Sequence, residues 1–195
     1  MPSPQEAAAH RKKLRDARNA LRRLTSRLPQ EDEAYQLLLG LGDETISDAA
    51  ADRQVILSGT AMLEQILKDA ITLHFRYDID EPENNRIFVG NQDNFGVLST
   101  FHSRIVIARA LGILSEEAAE DFQTLQAIRN HFAHSPLVFR FDEAEILSLI
   151  SLLYKTPEND SGIEHIRDIL GNRGFIIYLI TNYYFSLQTY SHLSL

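Results

Sequence analysis

Residues 125–135, LQAIRNHFAHS, hold the densest set of chemically capable side chains in this 195-residue chain. Arg129, Asn130, His131 and His134 fall around the end of one expected helix. Asn130 and His134 are four apart and face the same way; His131 and His134 are three apart. One chemistry that fits is RNA cleavage. Attack by a ribose 2′-hydroxyl needs a base of near-neutral pKa, which His134 would supply. It also needs a cation against the phosphorane charge, and Arg129 offers a planar fork of donors. Asn130 would orient the imidazole or the phosphate. The architectural reading of the same residues weighs more. Helix-end Arg and His cap carbonyls, and a buried Asn or His ties helices together. A metal site from His131, His134 and an acid such as Asp142 lacks a HExxH pattern and a third ligand at a defined spacing, so neither metal nor cofactor is expected.

A second constellation lies in LSTFHSRIVIARALGILSEE, residues 98–117. Arg104 and Arg109 stand in an otherwise apolar helix. A core-facing Arg needs a carboxylate, because an unpaired buried charge is very costly. Glu64, within AMLEQIL, is the expected partner. The two constellations together predict an internal polar network of Glu64, Arg104, Arg129, Asn130 and His134.

The elements that must position these groups read as helices almost throughout. Leu14, Ala17, Leu21, Leu24 and Leu28 recur at steps of three and four, an a/d seam on a basic amphipathic helix. Residues 31–41 form a second helix. A third runs from 43–47 to Phe75, with Val55, Ile56, Leu63, Ile66, Leu67 and Ile71 on its apolar side. Gly59 inside it would allow a neighbouring helix to approach closely. Residues 77–96, with Pro82, two glycines and four asparagines, predict a long loop. A fourth helix spans 99–111, with Gly112 as its C-cap. Ser115 caps a fifth, whose first turn holds Glu116 and Glu117. Pro136 closes that helix, and a sixth starts at Asp142. A short helix at 163–170, a break at 171–174 and a last helix at 175–192 complete the chain. The expected fold is all-α: a compact multi-helix bundle at 29–195 carrying an N-terminal arm at 1–28.

Composition narrows the classes. Apolar types at 44% and charged types at 24% exclude a disordered or fibrous chain. With no cysteine there is no disulfide scaffold, thiolate zinc site, iron–sulfur cluster or cysteine nucleophile. The net charge of −8 is uneven. Residues 1–30 carry eight basic and two acidic side chains, and the rest carries eleven and twenty-five. The acidic body repels nucleic acid. Nucleic-acid contacts are therefore expected only from the arm (Arg11, Lys12, Lys13, Arg15, Arg18, Arg22, Arg23) or from the RNA-cleaving reading. The start lacks an apolar stretch after its charges, so no signal peptide is expected. The apolar run at 175–187 is short of the ~20 residues of a membrane span. A cytoplasmic location with no membrane partner follows.

Two resemblances add to this. Arg129, a polar residue after it, and His134 resemble the motif of the HEPN superfamily. Those are small helical domains, many of them metal-independent ribonucleases that act at a dimer interface. Over a longer stretch the chain resembles the mannitol operon repressor (MltR-like) family. The matching pieces are TAMLEQILKDAITLHF (60–75), LSTFHSRIVIARALGILSEE (98–117), DFQTLQAIRNHFAHS (121–135) and Phe141–Asp142. That family has Gly-Pro ahead of the Leu-Ser-Thr-Phe element, where this chain has Gly96-Val97. The resemblance implies an all-helical transcriptional regulator without a helix-turn-helix, and the sequence itself shows no recognition helix. The leading expectation is a non-enzymatic regulator that binds itself or another regulatory protein. The alternative is a HEPN-type endoribonuclease or toxin using Arg129, Asn130 and His134.

Overall fold

The computed structural model describes residues 48–75, 80–91, 94–134, 139–153 and 161–193. The arm, its basic residues and the helix expected at 31–41 lie outside them. The fold is an all-α bundle of α1 (Asp48–Thr72), α2 (Glu81–Phe88), α3 (Phe101–Ala110), α4 (Glu116–His134), α5 (Ala144–Ile150) and α6 (Ser161–Leu193). Among the described residues there is no strand, and an isolated bridge joins Gly90 to Phe95.

α1 is the central helix and packs against α3, α4 and α6. Its apolar positions recur at steps of three and four, so Val55, Ile56, Leu63, Leu67 and Ile71 are all buried. Gly59 lies where α6 crosses. A Cβ there would sit 2.5 Å from Cδ1 of the buried Ile180, so glycine sets the closeness of the two helices. α4 supplies Phe122, Leu125, Ile128 and Phe132 to the same core. Phe122 packs between Phe101 and Tyr183, with ring centroids 6.0 and 5.1 Å away. The Tyr183 hydroxyl donates to the buried Asp121 at 2.5 Å.

α4 begins as expected: the Ala118 N–H donates to Ser115 Oγ at 3.2 Å. Gly112 takes the left-handed φ of 73° just after α3. The break expected at 171–174 is present as a kink at which two helices meet end to end. It is a single left-handed residue, Gly171 (φ 68°), inside α6. Next to this kink, Asp52 accepts the Phe141 N–H at 2.9 Å and Arg173 Nε at 2.5 Å, and Asn172 Nδ2 donates to the Phe141 carbonyl at 3.1 Å. Three chain segments far apart in sequence meet in this knot.

The expected loop at 77–96 is corrected. Residues 81–88 form α2, because Asp80 Oδ1 accepts the Glu83 N–H at 2.9 Å and Pro82 stands in the first turn. Proline is well placed there, where its missing N–H would have no helical partner. Glu81 and Glu83 add anions at the N-terminus.

Candidate functional site

The end of α4 does not form the expected internal network. Successive helical residues turn by about 100°. Phe132 is buried, so His134, about 200° further round, stands on the opposite side. Asn130 shares that outward face, and both are exposed. Arg129 is half-buried at the flank, about 140° from His134. Among the described residues none of the three side chains takes part in a hydrogen bond or ion pair. His131 is engaged instead: Nε2 lies 3.2 Å from Glu145 Oε2, and its ring packs on Phe139 with centroids 4.6 Å apart. Asp142 pairs with Arg140 at 3.2 Å. Among the described residues no three His, Asp or Glu side chains converge as a metal site would require.

Of the five residues expected in one network, the structure brings together two. Arg104, 8% exposed, places Nη1 3.1 Å from Glu64 Oε1. Its Nε donates to the Leu98 carbonyl at 2.8 Å, and Nη2 to the Phe88 carbonyl at 3.4 Å. The guanidinium also lies 5.4 Å from the Phe88 ring centre. Burial pulls its pKa below the usual arginine value, and Glu64 opposes this. Phe88 and Leu98 are the two ends of one turn, so Arg104 clasps both feet of residues 89–97.

That turn is tightly made. Gly96 N–H donates to the Val89 carbonyl at 3.2 Å, Leu98 N–H to Ile87 at 3.0 Å, and Asn91 N–H to Asn94 at 2.8 Å. The Asn94 N–H also donates to Asn91 Oδ1 at 2.9 Å. Gly90 has φ of 104°, and a Cβ on Gly96 would overlap the Ile87 carbonyl, so both positions demand glycine. Phe95, paired with Gly90 in the bridge, is 92% exposed, with Val97 at 78% and Val89 at 62%. The chain then enters α3, capped by Thr100 Oγ1 on the Ser103 N–H at 3.1 Å.

α3 is apolar on both sides. Phe101, Ile105 and Ala108 face the core, while Val106, Ile107, Ala110 and Leu111 are exposed. Among the described residues, six of the eight large exposed hydrophobic side chains lie between 89 and 111. Single exposed apolar residues are ordinary, and their grouping here makes 89–111 the stretch of the described chain with the most exposed apolar side chains. Sequence reasoning did not single out this face. Its signal was present, since IVIARAL has no polar stripe wide enough to cover one side of a surface helix.

No family model, characterised protein or solved structure matches the chain. Among the described residues no helix is long and apolar enough to cross a membrane. The apolar residues of 175–187 are spent on the core, where Phe175, Ile176, Ile177, Leu179 and Ile180 are buried.

Proposed function

We propose that this chain is a non-enzymatic regulatory protein that works by docking another protein, as its resemblance to the mannitol operon repressor family implies. The observation that supports this is the exposed apolar face of the Phe95 turn and α3. Exposed aromatic side chains are frequent anchors of protein interfaces. The Arg104 bonds fix the Phe88 and Leu98 ends of the turn, which lowers the cost of ordering it on binding. The test uses full-length protein bearing Phe95→Asp with Ile107→Asp, and Leu152→Asp as an exposed control. Light scattering and capture from lysate are run in parallel. The docking reading expects self-association or a captured protein that the double variant loses and the control keeps. Absence of both, or equal loss in both variants, overturns it.

A second reading has one observation of its own. Arg129, Asn130 and His134 are spare: the described fold does not engage them, and two are open to water. That is the state a HEPN-type endoribonuclease would need. The roughly 140° between Arg129 and His134 keeps one copy from aiming both at one phosphate, so this reading requires two copies. Labelled RNA incubated without metal tests it. Cleavage that disappears in His134→Ala and in Arg129→Ala establishes it, and no cleavage by a verified dimer dismisses it.

A further inference from the structure

We propose that Tyr190 is a covalent acceptor site: with His74 as its general base, the phenol takes an acyl group from a small activated donor, an ester or mixed anhydride with a good leaving group. The inference is independent of the docking reading and uses none of its residues.

His74 lies just beyond the end of α1, and Tyr190 stands near the end of α6. His74 Nδ1 is 3.0 Å from the Ala70 carbonyl oxygen. A carbonyl can only accept, so Nδ1 carries the proton. In the neutral ring Nε2 is then the lone-pair nitrogen, and the Tyr190 hydroxyl, 2.7 Å away, donates to it. The two rings lie within 8° of parallel, with centroids 5.6 Å apart. An oxygen nucleophile, an imidazole placed to take its proton and a third group that fixes the imidazole's tautomer are the parts of an activated hydroxyl. The third group here is main chain: Ala70 is fully buried in α1, so the carbonyl that orients the ring is held by the helix. His74 is exposed and Tyr190 is half-buried, so a small donor reaches the phenol from solvent while the core side holds it in place.

The step balances as follows. Tyr190 Oη bonds to the acyl carbon, and the phenolic proton passes to His74 Nε2. The bond from the acyl carbon to the leaving oxygen breaks, and the leaving group departs as an anion. The imidazolium then returns its proton to water. The product, an O-acyl tyrosine, has no hydroxyl proton to donate. Acylation therefore removes the bond that ties α6 to the end of α1, and the modification is felt by two elements of the fold.

The test treats full-length protein with p-nitrophenyl acetate and follows acetylation of each tyrosine by site-resolved mass spectrometry. With no cysteine in the chain, no thiol competes for the reagent. Tyr178 and Tyr184, also half-buried, serve as references within the same molecule. Tyr190 is expected to react roughly tenfold or more faster than either, the assistance a positioned base gives. Its rate is expected to level off at neutral pH, whereas an unassisted phenol keeps gaining rate up to its own ionisation near ~10. His74→Gln keeps a polar side chain at that position but no base. It is expected to slow Tyr190 to the rate of the references and leave Tyr178 and Tyr184 unchanged, which also reports that the fold is intact. Tyr190→Phe removes the fast phase of p-nitrophenolate release. Equal rates at the three tyrosines of the unaltered protein overturn the proposal, as does a Tyr190 rate that climbs with pH like a free phenol's. A fast Tyr190 that survives His74→Gln overturns it too, because accessibility alone then sets the rate.

Discussion

Arg104 shows how one side chain can connect stability to function. It reaches the ends of the Phe95 turn through the carbonyls of Leu98 and Phe88, and Glu64 balances its charge. Removing the guanidinium leaves carbonyls buried and Glu64 without its partner. Arg104→Met is therefore expected to cost about 3 kcal/mol in urea denaturation. Glu64→Gln leaves the buried Arg104 charge without its carboxylate and is expected to cost about 1–2 kcal/mol, less than Arg104→Met because the bond to Leu98 survives. Equal costs would contradict the clasp. Asp52 gives a pH signature. Burial pushes its carboxyl above the ordinary 3.8, outweighing the Phe141 N–H and Arg173, which pull it down. The folded state then holds the proton more tightly than the unfolded chain. The stabilising contribution is complete below pH 3.8 and is lost as pH rises through the folded pKa. Asp52→Asn removes this titration, so the stability gap between wild type and variant should be wider at pH 3.5 than at pH 7. A gap that widens with pH would contradict the direction.

At the scale of elements, two positions carry clear expectations. Asp80→Ala removes the cap of α2 and should cost about 1 kcal/mol, with exchange of the amides of 83–88 accelerated. Unchanged exchange there would mean the cap does not hold the helix. Gly59→Val adds three carbon atoms at the contact with Ile180 and should destabilise by roughly 1–3 kcal/mol. A neutral result would show that α1 and α6 can move apart freely. These elements differ in how visible they were beforehand. α1 and α4 were legible because their apolar residues repeat at helical spacing, and Gly112 and Ser115 mark where α3 ends and α4 begins. The Glu64–Arg104 pair was legible because a mid-helix Arg among apolar residues must have an acid. α2 was hidden by its own composition: Pro82 and the asparagines outweighed Asp80, whose capping role is a matter of position rather than content. The outward phase of Asn130 and His134 could have been read from Ile128 and Phe132, which mark the core side of α4. The Asp52–Arg173 contact could not, since it joins residues 121 apart and periodicity carries no such pairing.

For the whole molecule, the distribution of charge and apolar surface sets what it can do. The described body is a helical core with exposed apolar side chains on α3 and on the Phe95 turn that precedes it. Nucleic acid has little reason to approach an acidic body, whereas a protein with an apolar helix has a ready surface. The outward face of α4, with Asn130 and His134, offers the competing site. A photoreactive phenylalanine analogue placed at Ile107, or at Ala127 on the outward side of α4, separates the two in the cells that make the protein. Docking through α3 predicts an ultraviolet-dependent protein adduct from position 107 and none from 127. An RNA adduct from 127 with nothing from 107 would contradict it.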